Sequence, residues 1–140
     1  MNASPYLNFN GNCREAFEFY AQCLGAELTL LTAGETPICD QMPPGWADKI
    51  MHGHIQLGDL NIMGSDTPPE MFQPAGGFSV ALQIASVERA YSLFAGLSEG
   101  GQITMPIGET FWSRAFGCFV DRFGTPWMIN GPEPEGVQGC

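Results

Sequence analysis

Apolar and polar positions change rhythm several times along the chain, and each rhythm predicts a different element. Tyr6-Leu-Asn-Phe9 reads as a short strand followed by a turn at Gly11. Asn12 is placed as a helix N-cap, and Glu15 three residues later completes a capping-box pattern. Ala16, Phe17, Tyr20, Cys23 and Leu24 fall on one face of the predicted helix, which Gly25 ends. Leu28 to Thr32 predicts a second strand. From Ala33 to Asp48 the pattern collapses, because Pro37, Pro43, Pro44 and Gly45 interrupt any regular element. The reading there is a long loop, of the kind that serves as a lid or touches ligand. Strands return at Ile50 to Leu57 and Leu60 to Gly64, joined by a hairpin signal at Gly58-Asp59. Ser65 to Gly77, with two adjacent prolines and a glycine pair, reads as a linker.

The same order of elements then recurs. Phe78 to Ile84 predicts a strand whose bulky residues at 78, 80, 82 and 84 pack on helices. Ser86 is a second N-cap, and the helix after it carries a stripe of Val87, Ala90, Tyr91, Phe94 and Leu97. Gly100-Gly101 stops that helix. Gln102 to Met105 is a strand, a loop leads to Trp112, and Ala115 to Asp121 and Pro126 to Asn130 form the last pair, turning near Phe123-Gly124. A shift of 74 residues carries Asn12 onto Ser86 and superposes the two helical stripes, while the final hairpins align at a shift of 65. Caps, stripe and element order together indicate a duplicated unit. The predicted fold class is α+β, with two βαβββ modules of one domain at about 4–65 and 77–131, joined by a linker at about 66–76.

Composition narrows the function classes. A formal charge of −10, with five basic residues, argues against a nucleic-acid partner, since phosphate contacts need clustered Lys and Arg. No run approaches the apolar length of a membrane helix, and the N-terminus lacks the basic and apolar regions of a secretory signal, so a cytoplasmic protein is expected. The five cysteines at 13, 23, 39, 118 and 140 are odd in number, widely spaced and without a Cys-x-x-Cys pair, which disfavours a disulfide framework or a zinc knuckle. Cys13, Cys23 and Cys118 sit among apolar residues and read as small buried hydrophobes. No phosphate-binding loop or dinucleotide fingerprint occurs.

Several segments resemble a known family. Pro5-Tyr-Leu-Asn-Phe-Asn-Gly11, Glu15-Ala-Phe-Glu-Phe-Tyr20, Lys49-Ile-Met-His52, Thr110-Phe-Trp112, Phe116-Gly117 and Asp121-Arg-Phe-Gly124 with Trp127 are similar to the PhnB-like group of the vicinal oxygen chelate (glyoxalase/bleomycin resistance/dioxygenase) superfamily. The resemblance spans about residues 4 to 131. It implies curved mixed sheets enclosing a cup for a small molecule, and a homodimer in many relatives. Metal-dependent relatives hold one divalent ion with His and Glu from the first and last strands of each half.

Alternation places those positions. Ser79, Ala81 and Gln83 should face the cup, as should Asn61 and Met63, with Leu60 and Ile62 turned outward. The shifts of 74 and 65 carry Ser79 to Pro5 and Met63 to Met128, so the family's four ligand positions fall on Pro5, Met63, Ser79 and Met128. None is a carboxylate or an imidazole, and methionine suits soft ions such as Cu(I). No metal and no cofactor is therefore expected.

The other candidates have two readings each. His52 and His54, the two histidines of the chain, are two apart on one strand and share a face; they either serve a pocket or hydrogen-bond their neighbours. Trp112 either roofs a cavity or packs at a loop, and Trp127 reads as core. Arg114 either holds an anionic substrate or is a solvated surface residue. Asp121 reads as a turn cap, and Cys118 has no adjacent base to activate it. Nothing resembles an S-adenosylmethionine site. The expected ligand-binding set is His52, His54, Asn61, Met63, Ser79, Gln83, Trp112, Arg114 and Met128. The favoured function is small-molecule binding in a cup without the family metal. The alternative is an enzyme of glyoxalase, thiol-transferase or dioxygenase type, using a metal or the two histidines.

Overall fold

The structure is a computed structural model that describes residues 1–135. Cys140 lies outside the described residues. The chain divides into two compact units, Met1–Pro74 and Ala75 onward.

The first unit contains β1 (Tyr6–Phe9), α1 (Cys13–Leu24), β2 (Glu27–Thr32), β3 (Ile50–Leu57) and β4 (Leu60–Asp66). The strands form one sheet in the order β1-β4-β3-β2, in which β1 runs parallel to β4 and the other neighbours are antiparallel. One face of the sheet is covered by α1. Leu7, Phe9, Ile55 and Ile62 meet Phe17 and Tyr20 there, all buried. Gly53 and Gly64 are paired across β3 and β4 beneath the Phe17 ring. A methyl group on Gly64 would lie 2.6 Å from the Leu7 carbonyl oxygen and 2.8 Å from Cζ of Phe17, so bare backbone is what lets the helix sit this close.

The start of α1 departs from the sequence reading. Asn12 gives no side-chain cap. Asp66, at the far end of β4, does the work: Oδ1 accepts the Cys13 N–H at 2.9 Å and Oδ2 accepts the Ile50 N–H at 2.8 Å. A buried carboxylate thus satisfies an orphan donor of the first helical turn and the first amide of β3 together. Gly25 ends the helix as expected, in the left-handed conformation with its N–H on the Ala21 carbonyl. The linker expected from Ser65 begins later, because Ser65 and Asp66 belong to β4.

The expected loop after β2 holds two short 3-10 turns, Ala33–Glu35 and Pro37–Gln41. Glu35 accepts from the Thr32 amide and hydroxyl at 3.0 and 2.7 Å, and the hydroxyl bond first, then the amide, lowers its pKa. Proline at the first position of a turn leaves no donor unpaired, so it starts the second turn and does not break it.

The second unit repeats the topology with β5 (Val80–Gln83), α2 (Val87–Ser98), β6 (Gln102–Gly108), β7 (Phe116–Val120) and β8 (Pro126–Asn130), in sheet order β5-β8-β7-β6. Val80, Leu82, Phe119, Trp127 and Ile129 pack with Ala90, Leu93, Phe94 and Leu97 of α2. Ser86 caps α2 as expected, its hydroxyl accepting the Arg89 N–H at 3.2 Å. The expected stripe was too wide, since Tyr91 is exposed and Val87 half-buried while Leu93 is buried. Phe78 lies before β5 and is exposed, so it does not pack on a helix. β6 runs three residues past Met105, through Pro106, as an irregular edge strand, the place in a sheet where proline is tolerated. Asp121 caps its turn as read from sequence, accepting from the Phe123 and Thr125 amides; it also accepts the Trp127 indole N–H at 2.7 Å.

Candidate functional site

In each unit the sheet face turned away from the helix is open, and most of the candidate residues stand on it. On the first sheet the strand register sets Tyr6, Met63, His54 and Thr29 side by side across β1, β4, β3 and β2. His52 lies one step along β3 beside Leu31, and Asn61 faces Gln56. His52, His54, Asn61 and Met63 are all half-buried. The Tyr6 and His52 rings lie 5.9 Å apart, with the hydroxyl 3.5 Å from Nδ1. His54 Nε2 is 2.7 Å from Asn61 Oδ1, and Asn61 Nδ2 donates to the Asp59 carbonyl at 3.3 Å.

Register also corrects one equivalence drawn from sequence. Tyr6 pairs with Met63, whereas Ala81 pairs with Met128. The first strands therefore correspond at a shift of 75, one more than the helices, because the first unit carries one extra residue between strand and cap. Pro5 precedes β1 and meets Met63 through its backbone carbonyl, which accepts the Met63 N–H at 3.1 Å. The side chain beside Met63 on the open face is that of Tyr6.

On the second sheet Ala81, Met128 and Cys118 form one row, and Gln83, Asn130 and Phe116 the next. Two clefts open there. One, of about 560 Å³, is lined by Ser79, Met128, Cys118, Thr104 and Trp127 among others. The second, of about 470 Å³, is lined by Gln83, Trp112, Asn130 and Glu133 among others. Both are of a size that takes a small molecule. Trp112 is partly exposed and held edge-on against Phe116 at 5.1 Å, with Phe111 packed on its other side at 4.8 Å. Asn130 Nδ2 donates to Gln83 Oε1 at 2.7 Å, while its own Oδ1 is buried with no partner. Trp127 is fully buried, its indole stacked on Phe119 and bonded to Asp121, and is core as the sequence indicated. Arg114 is exposed, does not line either cleft, and donates its backbone N–H to Pro132.

Sequence reasoning missed Tyr6, Asn130 and Cys118 as residues of these faces. Asn130 was within reach, since it stands two residues after Met128 on the same strand face. Tyr6 was hidden by the register difference. Cys118 is half-buried and lines a cleft, and burial raises its thiol pKa, which disfavours the thiolate. Cys23 is half-buried as well, whereas Cys13 is fully buried, its thiol pushed up to about 12 by burial and then by the nearby Asp66 charge.

The residues expected at the four ligand positions lie two in each unit. Tyr6 stands beside Met63, with the Pro5 carbonyl on the Met63 N–H, and Ala81, not Ser79, stands beside Met128; Ser79 precedes β5 and lines the same cleft as Met128. None offers a carboxylate or imidazole, and the two thioethers suit soft ions rather than hard or borderline divalent ones. Among the described residues no group of three or more His, Cys, Asp or Glu side chains converges on a metal-sized point. No described helix is long and apolar enough to cross a membrane.

Comparison with known proteins agrees with this architecture. Residues 5–129 match the family model described as the Glyoxalase/Bleomycin resistance protein/Dioxygenase superfamily. Protein YjdN of Escherichia coli K12 is 37% identical over 147 residues, covering 99% of this chain and 100% of that protein. The crystal structure of protein PA1353 from Pseudomonas aeruginosa is 43% identical, with a TM-score of 0.87 over 96% of this chain and 99% of that one. A PhnB protein from Bacillus cereus shares the fold at 23% identity and a TM-score of 0.76, covering 94% of this chain and 99% of that one. Paired βαβββ units, two open sheet faces and the family match lead to one assignment: the chain belongs to the glyoxalase/bleomycin resistance protein/dioxygenase superfamily.

Proposed function

We propose that the chain is a PhnB-like member of the superfamily that binds a small molecule on the open faces of its sheets without the divalent metal of the family's enzymes. The observation that carries the reading is the donor set: Met63 beside Tyr6, and Met128 beside Ala81 with Ser79 lining the same cleft, supply neither His nor Glu. The two clefts of the second sheet supply ligand-sized space with an aromatic wall at Trp112 and polar groups at Ser79, Gln83 and Asn130. His52, His54, Asn61 and Met63 supply a mixed surface on the first sheet. Arg114 stands apart from both clefts and drops out of the reading as an anion anchor. The proposal includes a homodimer and a cytoplasmic location, on the precedent of the resemblance.

The test is metal content after purification from cells, followed by titration with Ni, Mn and Zn under tryptophan fluorescence. The expected result is metal far below one ion per chain and no saturable change in emission. Stoichiometric divalent metal in the purified protein overturns the reading.

A further inference from the structure

The first sheet holds a hydrogen-bond relay whose direction can be worked out atom by atom. The Asp59 backbone carbonyl can only accept. The Asn61 side-chain atom facing it at 3.3 Å must therefore be the amide nitrogen, which turns the amide oxygen toward His54. That oxygen can only accept, so Nε2 of His54, 2.7 Å away, must carry a proton. The reversed amide would set two oxygens against each other and lose a bond. Neutral His54 is thereby held as the Nε2–H tautomer, which leaves the Nδ1 lone pair as an acceptor. Nδ1 has no partner among the described residues, and it is not sealed from the surface, since the one buried unpartnered side-chain atom there is Oδ1 of Asn130. Met63 stands beside His54 on β4, and Tyr6 beyond it on β1, with the Tyr6 and His52 rings close together on the same face.

We propose that Asp59, Asn61 and His54 form an acceptor site for the hydroxyl of an aromatic alcohol, in which His54 Nδ1 takes the hydroxyl hydrogen bond and Met63 and Tyr6 meet the ring. Asn61 is a positioning residue, acting through the tautomer it imposes on His54. The inference deepens the small-molecule reading above and rests on it for the presence of a ligand. The tautomer does not depend on that reading.

The experiment uses the full chain labelled with ¹⁵N and long-range ¹H–¹⁵N correlation of the histidine rings, at a pH where His54 is neutral. The probes are p-cresol and 4-methylanisole, which differ by the hydroxyl hydrogen. The expected result is an Nε2–H His54 in the wild type and in Asn61→Asp, which keeps an acceptor oxygen, and a mixed or reversed tautomer in Asn61→Leu. p-Cresol should shift the His54 Nδ1 resonance and bind about 3- to 10-fold more tightly than 4-methylanisole, a preference lost in Asn61→Leu. An Nδ1–H tautomer in the wild type, or one unaffected by Asn61→Leu, overturns the relay. An Nδ1 resonance unmoved by p-cresol overturns the acceptor site, and if resonances elsewhere move the small-molecule reading still stands. That broader reading falls separately, by its own metal measurement.

Discussion

Removing the Asp66 carboxylate tests how the first unit is held together. Asp66 is nearly buried, at 8% exposure, and its two oxygens take the Cys13 and Ile50 amides at 2.9 and 2.8 Å. Asp66→Ala leaves both donors inside the protein without an acceptor. Each stranded donor costs about 1–3 kcal/mol, so the pair is worth roughly 2–6 kcal/mol. With a urea slope of about 2 kcal/mol per molar, the unfolding midpoint should fall by about 1–3 M. Asp66→Asn keeps one acceptor oxygen and turns an N–H toward the other donor, so its loss should be intermediate. The assay is urea unfolding followed by far-UV circular dichroism, with amide exchange at Cys13 and Ile50 as the local reporter. Both amides should lose protection in the alanine variant. A midpoint corresponding to a change below about 0.5 kcal/mol, the scale of an inert surface replacement, with both amides still protected, would refute the reasoning.

Two further outcomes follow from the same packing. The Cys13 thiol is raised to about 12 in the folded protein against an ordinary 9.0, so its contribution to stability is complete below about pH 9 and is lost as pH rises toward 12. The slope is about 1.4 kcal/mol per pH unit, and stability curves of the wild type and Cys13→Ala that run parallel above pH 9 would contradict it. Gly64→Ala forces a methyl against the Leu7 carbonyl and the Phe17 ring, at 2.6 and 2.8 Å, and should cost about 1–3 kcal/mol, read as a lower Tm. An unchanged melting curve would show that the helix can lift away freely.

Much of the fold was legible because burial alternates with the strand period. Ile62, Val80, Leu82, Trp127 and Ile129 face a helix, as their spacing required, and Ser86 caps its own helix three residues away. What escaped notice depends on contacts between distant residues. Asn12 looks like a cap from its neighbours, yet the acceptor arrives from Asp66 in another strand. Tyr91 fits a helical stripe, but the face it continues is wider than the sheet that covers it. The candidate faces were readable for the same reason as the core, since Asn61, Met63, Gln83 and Met128 are the alternate positions. The pairing of Tyr6 with Met63 was not readable, because one extra residue in a turn shifts strand register without disturbing the helices on either side.

The two helices also differ in when each can be completed. α2 has its acceptor three residues from the donor, so its first turn can close as soon as that short stretch exists. α1 waits for a carboxylate 53 residues further along, on the last strand of its own unit. Closing that loop costs chain entropy that the three-residue cap of α2 does not. The start of the first helix, the start of β3 and the end of β4 are therefore tied to one carboxylate, and the first turn of α1 has its full set of acceptors only when β4 is in place.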